Sequence, residues 1–217
     1  MLIAPAERKR SKSKSSKVES RVATASTLLN VMRDLDKADN TIVIMTQDVM
    51  PDTIFNGAKN SIVEQWVRAG GILICTGDIE FCYLGYSNGI KISRDYFLSI
   101  LFGKVIMKFT DGTAITDFNR TVIPNMKTFQ SDRASPKSYL SGLDFEVYGR
   151  GFFEGEEVYD PILICLDKGA LVRFCMRVGA EIETRAQISE YVVNRFKLVK
   201  TGLVYLFSQS LQRWERW

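Results

Sequence analysis

Apolar and polar positions along the chain fall into short blocks whose spacing changes character several times. Residues 41–46 read Thr-Ile-Val-Ile-Met-Thr, β-branched and apolar without polar alternation. Such a run predicts a strand covered on both faces, as in a parallel sheet. A second all-apolar run, Ile72–Cys75, follows the same logic. Between them Ile62, Val63, Trp66 and Val67 recur at helical spacing. Ser61-Ile-Val-Glu64 opens that helix as a capping box, and Gly70-Gly71 closes it, since glycine accepts the left-handed conformation at a helix end. Helix, glycine pair, buried strand and the turn Thr76-Gly77-Asp78 form a compact crossover unit.

Upstream, Leu28, Val31, Met32 and Leu35 mark a helix from an N-cap at Ser26 to about Lys37. Downstream the pattern is less regular. Ser93 caps a helix through Ile100 and Phe102. Val105, Met107 and Phe109 alternate with polar neighbours before Asp111-Gly112, a hairpin turn. Residues 117–142 are polar, with Pro124 and Pro136, and predict a surface excursion. Pro161–Leu166 and Ala170–Met176 flank Asp167-Lys168-Gly169 as a hairpin. Thr184-Arg-Ala-Gln187 is a second capping box for a helix to about Lys197. The last twenty residues are apolar and aromatic, and their pattern is compatible with strand or helix. Gly149-Arg150-Gly151 reads as an ordinary turn, because no helix follows it. The expected fold class is therefore α/β: a Rossmann-like, mostly parallel sheet with flanking helices and an added antiparallel hairpin.

Charge divides the chain. Among residues 1–21, seven cations stand against two carboxylates, so a total of +4 leaves the remainder nearly neutral. Met1–Pro5 predicts a very short strand, and the residues after it are Lys- and Ser-rich without apolar periodicity. The expected organisation is a flexible segment over 1–25 and a single α/β domain over 26–217. Arg8, Lys9, Arg10, Lys12, Lys14 and Lys17 can follow a phosphate backbone through counterion release, which makes nucleic acid a candidate partner. No aromatic residue interrupts them, so base readout is not expected. A solvated loop is the plainer reading of the same residues. No apolar run reaches the roughly 18 residues of a membrane span, so a cytoplasmic protein without membrane partners is expected.

The chain of 217 residues contains no histidine. That excludes a His-dependent nucleophilic relay and a His-ligated zinc site, leaving acid–base work to Asp, Glu, Lys, Tyr or Cys. The four cysteines, Cys75, Cys82, Cys165 and Cys175, form no C-x-x-C pair, and three lie in apolar strands as small hydrophobes. No dinucleotide or Walker fingerprint is present, and no cofactor is expected. Open α/β sheets bind ligands beyond the carboxyl ends of their strands. Asp48, Thr76, Gly77, Asp78 and Glu80, with Tyr83 and Tyr86 beside them, are the candidate ligand-binding residues there. Asp48, Asp78 and Glu80 also suit a carboxylate- or metal-dependent hydrolase, although aspartates at strand ends commonly cap turns.

The order TIVIMT, acidic loop with Pro51, SIVEQWVRAGG, ILIC and TGDIEF resembles the class I glutamine amidotransferase-like superfamily, most nearly its divergent, ThuA-related branches. The resemblance covers about 26–110 and 155–197. It implies a cysteine on a tight strand-to-helix turn within G-x-C-x-G, working with His and Glu. Ile74-Cys75-Thr76-Gly77 keeps only the C-x-G half, because Leu73 stands where the first glycine would be. With no histidine to activate the thiol, the expectation is a non-catalytic binding or structural module, with a protein partner or a second copy among its possible associates.

Overall fold

The computed structural model describes residues 19–46, 49–76, 83–92, 114–118, 128–131, 134–173 and 203–207. They form a sheet-rich mixed α/β fold. Its centre is a seven-stranded mixed sheet, built from β1 (Glu19–Ala23), β2 (Thr41–Met45), β4 (Ile72–Cys75), β10 (Phe145–Val147), β13 (Ile162–Leu166), β14 (Gly169–Arg173) and β15 (Leu203–Phe207). The spatial order is β1-β15-β2-β4-β14-β13-β10. The first five run parallel, while β13 is antiparallel to both β14 and β10.

Every residue of β2, β4 and β14 is buried. One set of alternate positions, Val43, Met45, Leu73, Cys75 and Leu171, joins the main apolar cluster with α1 (Ala25–Arg33) and α2 (Ile62–Arg68). The other set, with Ile42, Ile44, Ile72, Ile74 and Val172, is buried as well. The uninterrupted apolar runs thus belong to strands buried on both faces.

Capping explains where the helices start. The N-cap of α1 is Thr24, whose hydroxyl accepts from Thr27 N–H at 3.2 Å, two residues before the expected Ser26. The helix stops at Arg33, and Leu35–Asn40 tightens into a 3₁₀ turn. At α2 the Ser61 hydroxyl accepts from Glu64 N–H at 3.4 Å. The Glu64 carboxylate reaches one residue further back than the motif predicts, accepting from Asn60 N–H at 2.7 Å. Past Ala69, Gly70 has φ +124°, and a Cβ on Gly71 would lie 2.4 Å from the Trp66 ring. The glycine pair thus lets the chain turn and pass against the largest side chain of the core. Arg68 bonds both Glu64 and Asp167, each at 3.0 Å, tying α2 to the β13–β14 turn.

Two smaller sheets grow from the main one. β3 (Val49–Pro51), β5 (Tyr83–Tyr86) and β6 (Gly89–Ile92) form a three-stranded sheet, with β3 parallel to β5. Because β3 follows β2 and β5 follows β4, this sheet continues from the carboxyl ends of two central strands. A five-stranded sheet is built from β7 (Ala114–Phe118), β8 (Thr128–Ser131), β9 (Ser135–Pro136), β11 (Gly149–Phe153) and β12 (Glu156–Tyr159). Its spatial order is β8-β7-β11-β12-β9.

Several expectations change here. Regular structure begins by Glu19, in β1, rather than near Ser26. Within 117–142, residues 117–118, 128–131 and 135–136 belong to the five-stranded sheet, and Ser131, Ala134, Ser135 and Leu140 are buried rather than in a surface excursion. Gly149-Arg150-Gly151 lies inside β11, not in a turn. There Gly149 lets two chains cross, since a Cβ would fall 2.2 Å from the Asp160 carbonyl oxygen. Part of the aromatic tail is the strand β15, which enters the sheet between β1 and β2. The helix at Ser93, the alternation at Val105–Phe109, the turn at Asp111-Gly112 and the capping box at Thr184 lie outside the described residues, as does Met1–Pro5.

Candidate functional site

Register places the ends of the parallel strands side by side. Met45 of β2 is level with Cys75 of β4, and Cys75 with Arg173 of β14. Since β13 is antiparallel, its first residue Ile162 pairs with Arg173, which sets Asp160 and Pro161 at the same edge. Both smaller sheets also spring from this carboxyl edge, the three-stranded one after β2 and β4, the five-stranded one at Tyr148 and Asp160. Thr76 and Arg173 stand between their roots, at neighbouring strand ends.

Four buried polar side chains gather on the β14 side of that edge. Arg173 is fully buried and donates through Nη1 to the Ser135 hydroxyl in β9. The Ser131 hydroxyl donates to Asp160 Oδ2 at 2.5 Å, and both residues are fully buried. Backbone bonds reinforce the junction: Tyr148 and Gly149 N–H both donate to the Pro161 carbonyl (2.9 and 3.1 Å), and Asp160 N–H to that of Gly149 at 3.0 Å. Buried charge is tolerated only with polar partners around it. Arg173–Ser135 and Asp160–Ser131 therefore fasten the five-stranded sheet to the main one. The signal for Arg173 was a lone cation in the apolar run Ala170–Met176, a run whose composition reads simply as strand. Nothing local marked Ser131, Ser135 or Asp160.

Of the residues expected to bind ligand, Thr76 is at the carboxyl edge but is occupied by the backbone. Its N–H and its hydroxyl both donate to the Met45 carbonyl, each at 3.1 Å, and it is buried. That hydroxyl locks the end of β4 to β2. Tyr83 is half-buried in β5, with Val49 and Ile92 as strand partners. Tyr86 is half-buried too and packs on the main cluster. Asp48, Gly77, Asp78 and Glu80 lie outside the described residues, as do Arg8, Lys9, Arg10, Lys12, Lys14 and Lys17.

Cys75, at the position the amidotransferase resemblance makes a nucleophile, is the last residue of β4 and is 4% exposed. A reactive cysteine needs access and an electropositive setting that favours the thiolate. Cys165 in β13 is half-buried. Burial, then the nearby carboxylates of Asp144 and Glu146, push its thiol above the ordinary range.

A second polar group occupies the five-stranded sheet. Glu157 takes Lys137 Nζ at 3.0 Å and Arg150 Nε at 3.1 Å, and the Arg150 guanidinium lies 5.6 Å from the centre of the Tyr159 ring. Hydrogen bonds from Lys137 and Tyr159 hold the Glu157 carboxyl below its usual range. Burial, reinforced by Glu157, raises the Tyr159 phenol. Arg150 and Tyr159 are direct cross-strand partners. This is the pairing expected of a half-exposed antiparallel sheet.

No family model and no curated protein matches this chain. Among solved structures, a cytoplasmic protein from Salmonella typhimurium LT2 is similar over 73% of this chain and 71% of its own, at 12% identity and a TM-score of 0.39. A likeness that faint carries no argument about function. No helix among the described residues is long and apolar enough to cross a membrane.

Proposed function

We propose that this chain is a non-catalytic binding or structural module on a Rossmann-like, amidotransferase-like frame. The observation that carries this reading is the position of Cys75. It is the buried last residue of β4, level with Met45 and Arg173, and contributes to the apolar core. The absence of histidine from the sequence removes the base that would activate it. Thr76, beside it, spends its hydroxyl on the β2 backbone. Among the described residues, the carboxyl ends of β2, β4 and β14 are buried at Met45, Cys75, Thr76 and Arg173. Ammonia release from glutamine tests the reading: the intact protein is expected to release none above a buffer control. Release that disappears in Cys75→Ala would overturn it.

A second reading concerns the amino-terminal segment, favoured by its concentration of charge. Six cations fall within residues 8–17 and precede β1 directly. Salt-dependent RNA or DNA binding that disappears on deletion of residues 1–17, which leaves β1 whole, is the expected result. Binding that survives the deletion, or none at low salt, would remove this reading.

A further inference from the structure

The sequence contains two Asn-Gly pairs, Asn56-Gly57 and Asn88-Gly89. Both asparagines are exposed, yet the N–H groups of the glycines that follow them are used differently. Gly89 closes the β5–β6 hairpin opposite Tyr86. The facing residues that close a two-residue hairpin exchange main-chain hydrogen bonds, so the Gly89 N–H is occupied. Gly57 belongs instead to the irregular connection between β3 and α2, with φ +85°. Its N–H meets no acceptor among the described residues. Asn56 Oδ1 accepts from Ala58 N–H at 3.2 Å, which folds the side chain forward across the Gly57 peptide. The connection is pinned close by: Phe55 N–H donates to the Pro51 carbonyl and Val63 N–H to that of Ile54, each at 3.1 Å.

We propose that Asn56 is a site of spontaneous deamidation, at which the chain modifies its own backbone with water as the co-reactant. The Gly57 nitrogen loses its proton to solvent base and attacks Cγ of Asn56. The hydrogen bond from Ala58 N–H draws electron density toward Oδ1, which leaves Cγ open to attack and steadies the negative charge that forms on that oxygen. The Cγ–Nδ2 bond then breaks, and Nδ2 leaves as ammonia with the proton that Gly57 gave up. What remains is a five-membered succinimide, formed without oxidation or reduction. Water opens the ring at either of its two carbonyls. Opening at Cγ gives aspartate, and opening at the main-chain carbonyl gives isoaspartate, in which the backbone runs through Cβ and Cγ. Glycine suits this step because it sets no Cβ against the incoming carbonyl. At Gly89 the same attack must first break a ladder hydrogen bond, whereas at Gly57 it breaks none. Either product places a carboxylate beside Gly57, and isoaspartate also lengthens the backbone by one atom immediately after the buried Phe55. The modification thus falls on the connection that carries the chain from β3 to α2.

Peptide mapping by mass spectrometry tests this on the full-length protein, held folded in mildly alkaline buffer and sampled over time. Asn56 is expected to lose its amide about tenfold faster than Asn88, the factor that one main-chain hydrogen bond supplies. Aspartate and isoaspartate are expected together at position 56, since both come from one ring. In denaturant both glycine N–H groups are free, and the two asparagines are expected to react at similar rates. Asn56→Gln is expected to stay intact at that position over the same period, because its longer side chain would have to close a six-membered ring. Equal rates at the two sites in the folded protein, or faster loss at Asn88, overturns the proposal. So does an Asn56 amide that survives the incubation. Aspartate without isoaspartate at position 56 would mean direct attack by water and would overturn the route through Gly57.

Discussion

The parallel half of the molecule and its antiparallel extension are held together by different physics. In the parallel half, β2, β4 and β14 are buried at every position, and their inner face packs with α1 and α2 around Trp66. Stability there comes from apolar area removed from water. Among the described residues in and beside the five-stranded sheet, Ala134 and Val158 are buried with Phe153 packed against them, and Tyr159 joins the main apolar cluster. After the buried Gly149, its β11 alternates between exposed and half-buried residues, and Phe152 is 70% exposed. Among the described contacts, turn chemistry at Glu154 and Gly155 (φ +50° and +82°), the Glu157 ion pairs and the buried contacts of Arg173 and Asp160 at its root add polar fastenings to it. An apolar core tolerates imprecise partners of the right volume, whereas a polar fastening depends on individual atoms.

The two halves are expected to answer differently to substitution. Trp66→Ala empties the centre of the parallel half and is expected to cost about 3–5 kcal/mol of global stability, read by chemical denaturation. Ser135→Ala removes the hydroxyl that Arg173 contacts, at an expected cost of about 1–3 kcal/mol. In that variant, native-state hydrogen exchange is expected to accelerate first in β9, β11 and β12, with β2 and β4 still protected. Equal loss of protection in both sheets would show a single cooperative unit and end the distinction.

A smaller effect sharpens the boundary at β13, the strand where parallel pairing gives way to antiparallel. Burial, then Asp144 and Glu146, raise the Cys165 thiol, so its thiolate forms at higher pH than in an unfolded chain. The folded state therefore keeps its proton longer, and the stability linked to that proton is lost as pH rises past the unfolded thiol value through the folded one. Alkylation followed peptide by peptide is expected to show a midpoint for Cys165 above the ordinary thiol range, lowered in Asp144→Asn. A midpoint at or below that range in the unmodified chain would contradict this.

Some of this organisation was legible in the residues alone. The runs Thr41–Met45 and Ile72–Cys75, the cap at Ser61, the stop at Gly70-Gly71 and the hairpin about Asp167-Lys168 each rest on contacts within a few positions, or on a run too apolar to leave in water. Their strand or helix character followed from composition and spacing. The cap of α1 was displaced by two residues because Thr24, Ser26 and Thr27 all offer suitable hydroxyls, and the surrounding backbone chooses among them.

The candidate site was legible only as a location. Reading the carboxyl ends of β2 and β4 as one edge pointed to Thr76, but its hydroxyl belongs to the Met45 carbonyl 31 residues away. The Arg173–Ser135 and Asp160–Ser131 contacts join residues 38 and 29 positions apart. Polar residues that far apart leave no periodic trace. The aromatic tail was ambiguous for a related reason, since β15 becomes a strand by inserting between β1 and β2. By itself the sequence determined which short segments must be buried and where helices begin and end, because those follow from local hydrogen bonding and from the cost of wetting apolar side chains. Tertiary structure alone decided the order of strands, the continuation of β10 and β12–β13 into a second sheet, and the polar groups that fasten it. Those choices depend on which distant segments meet, and on the requirement that every charge they bury finds a polar partner.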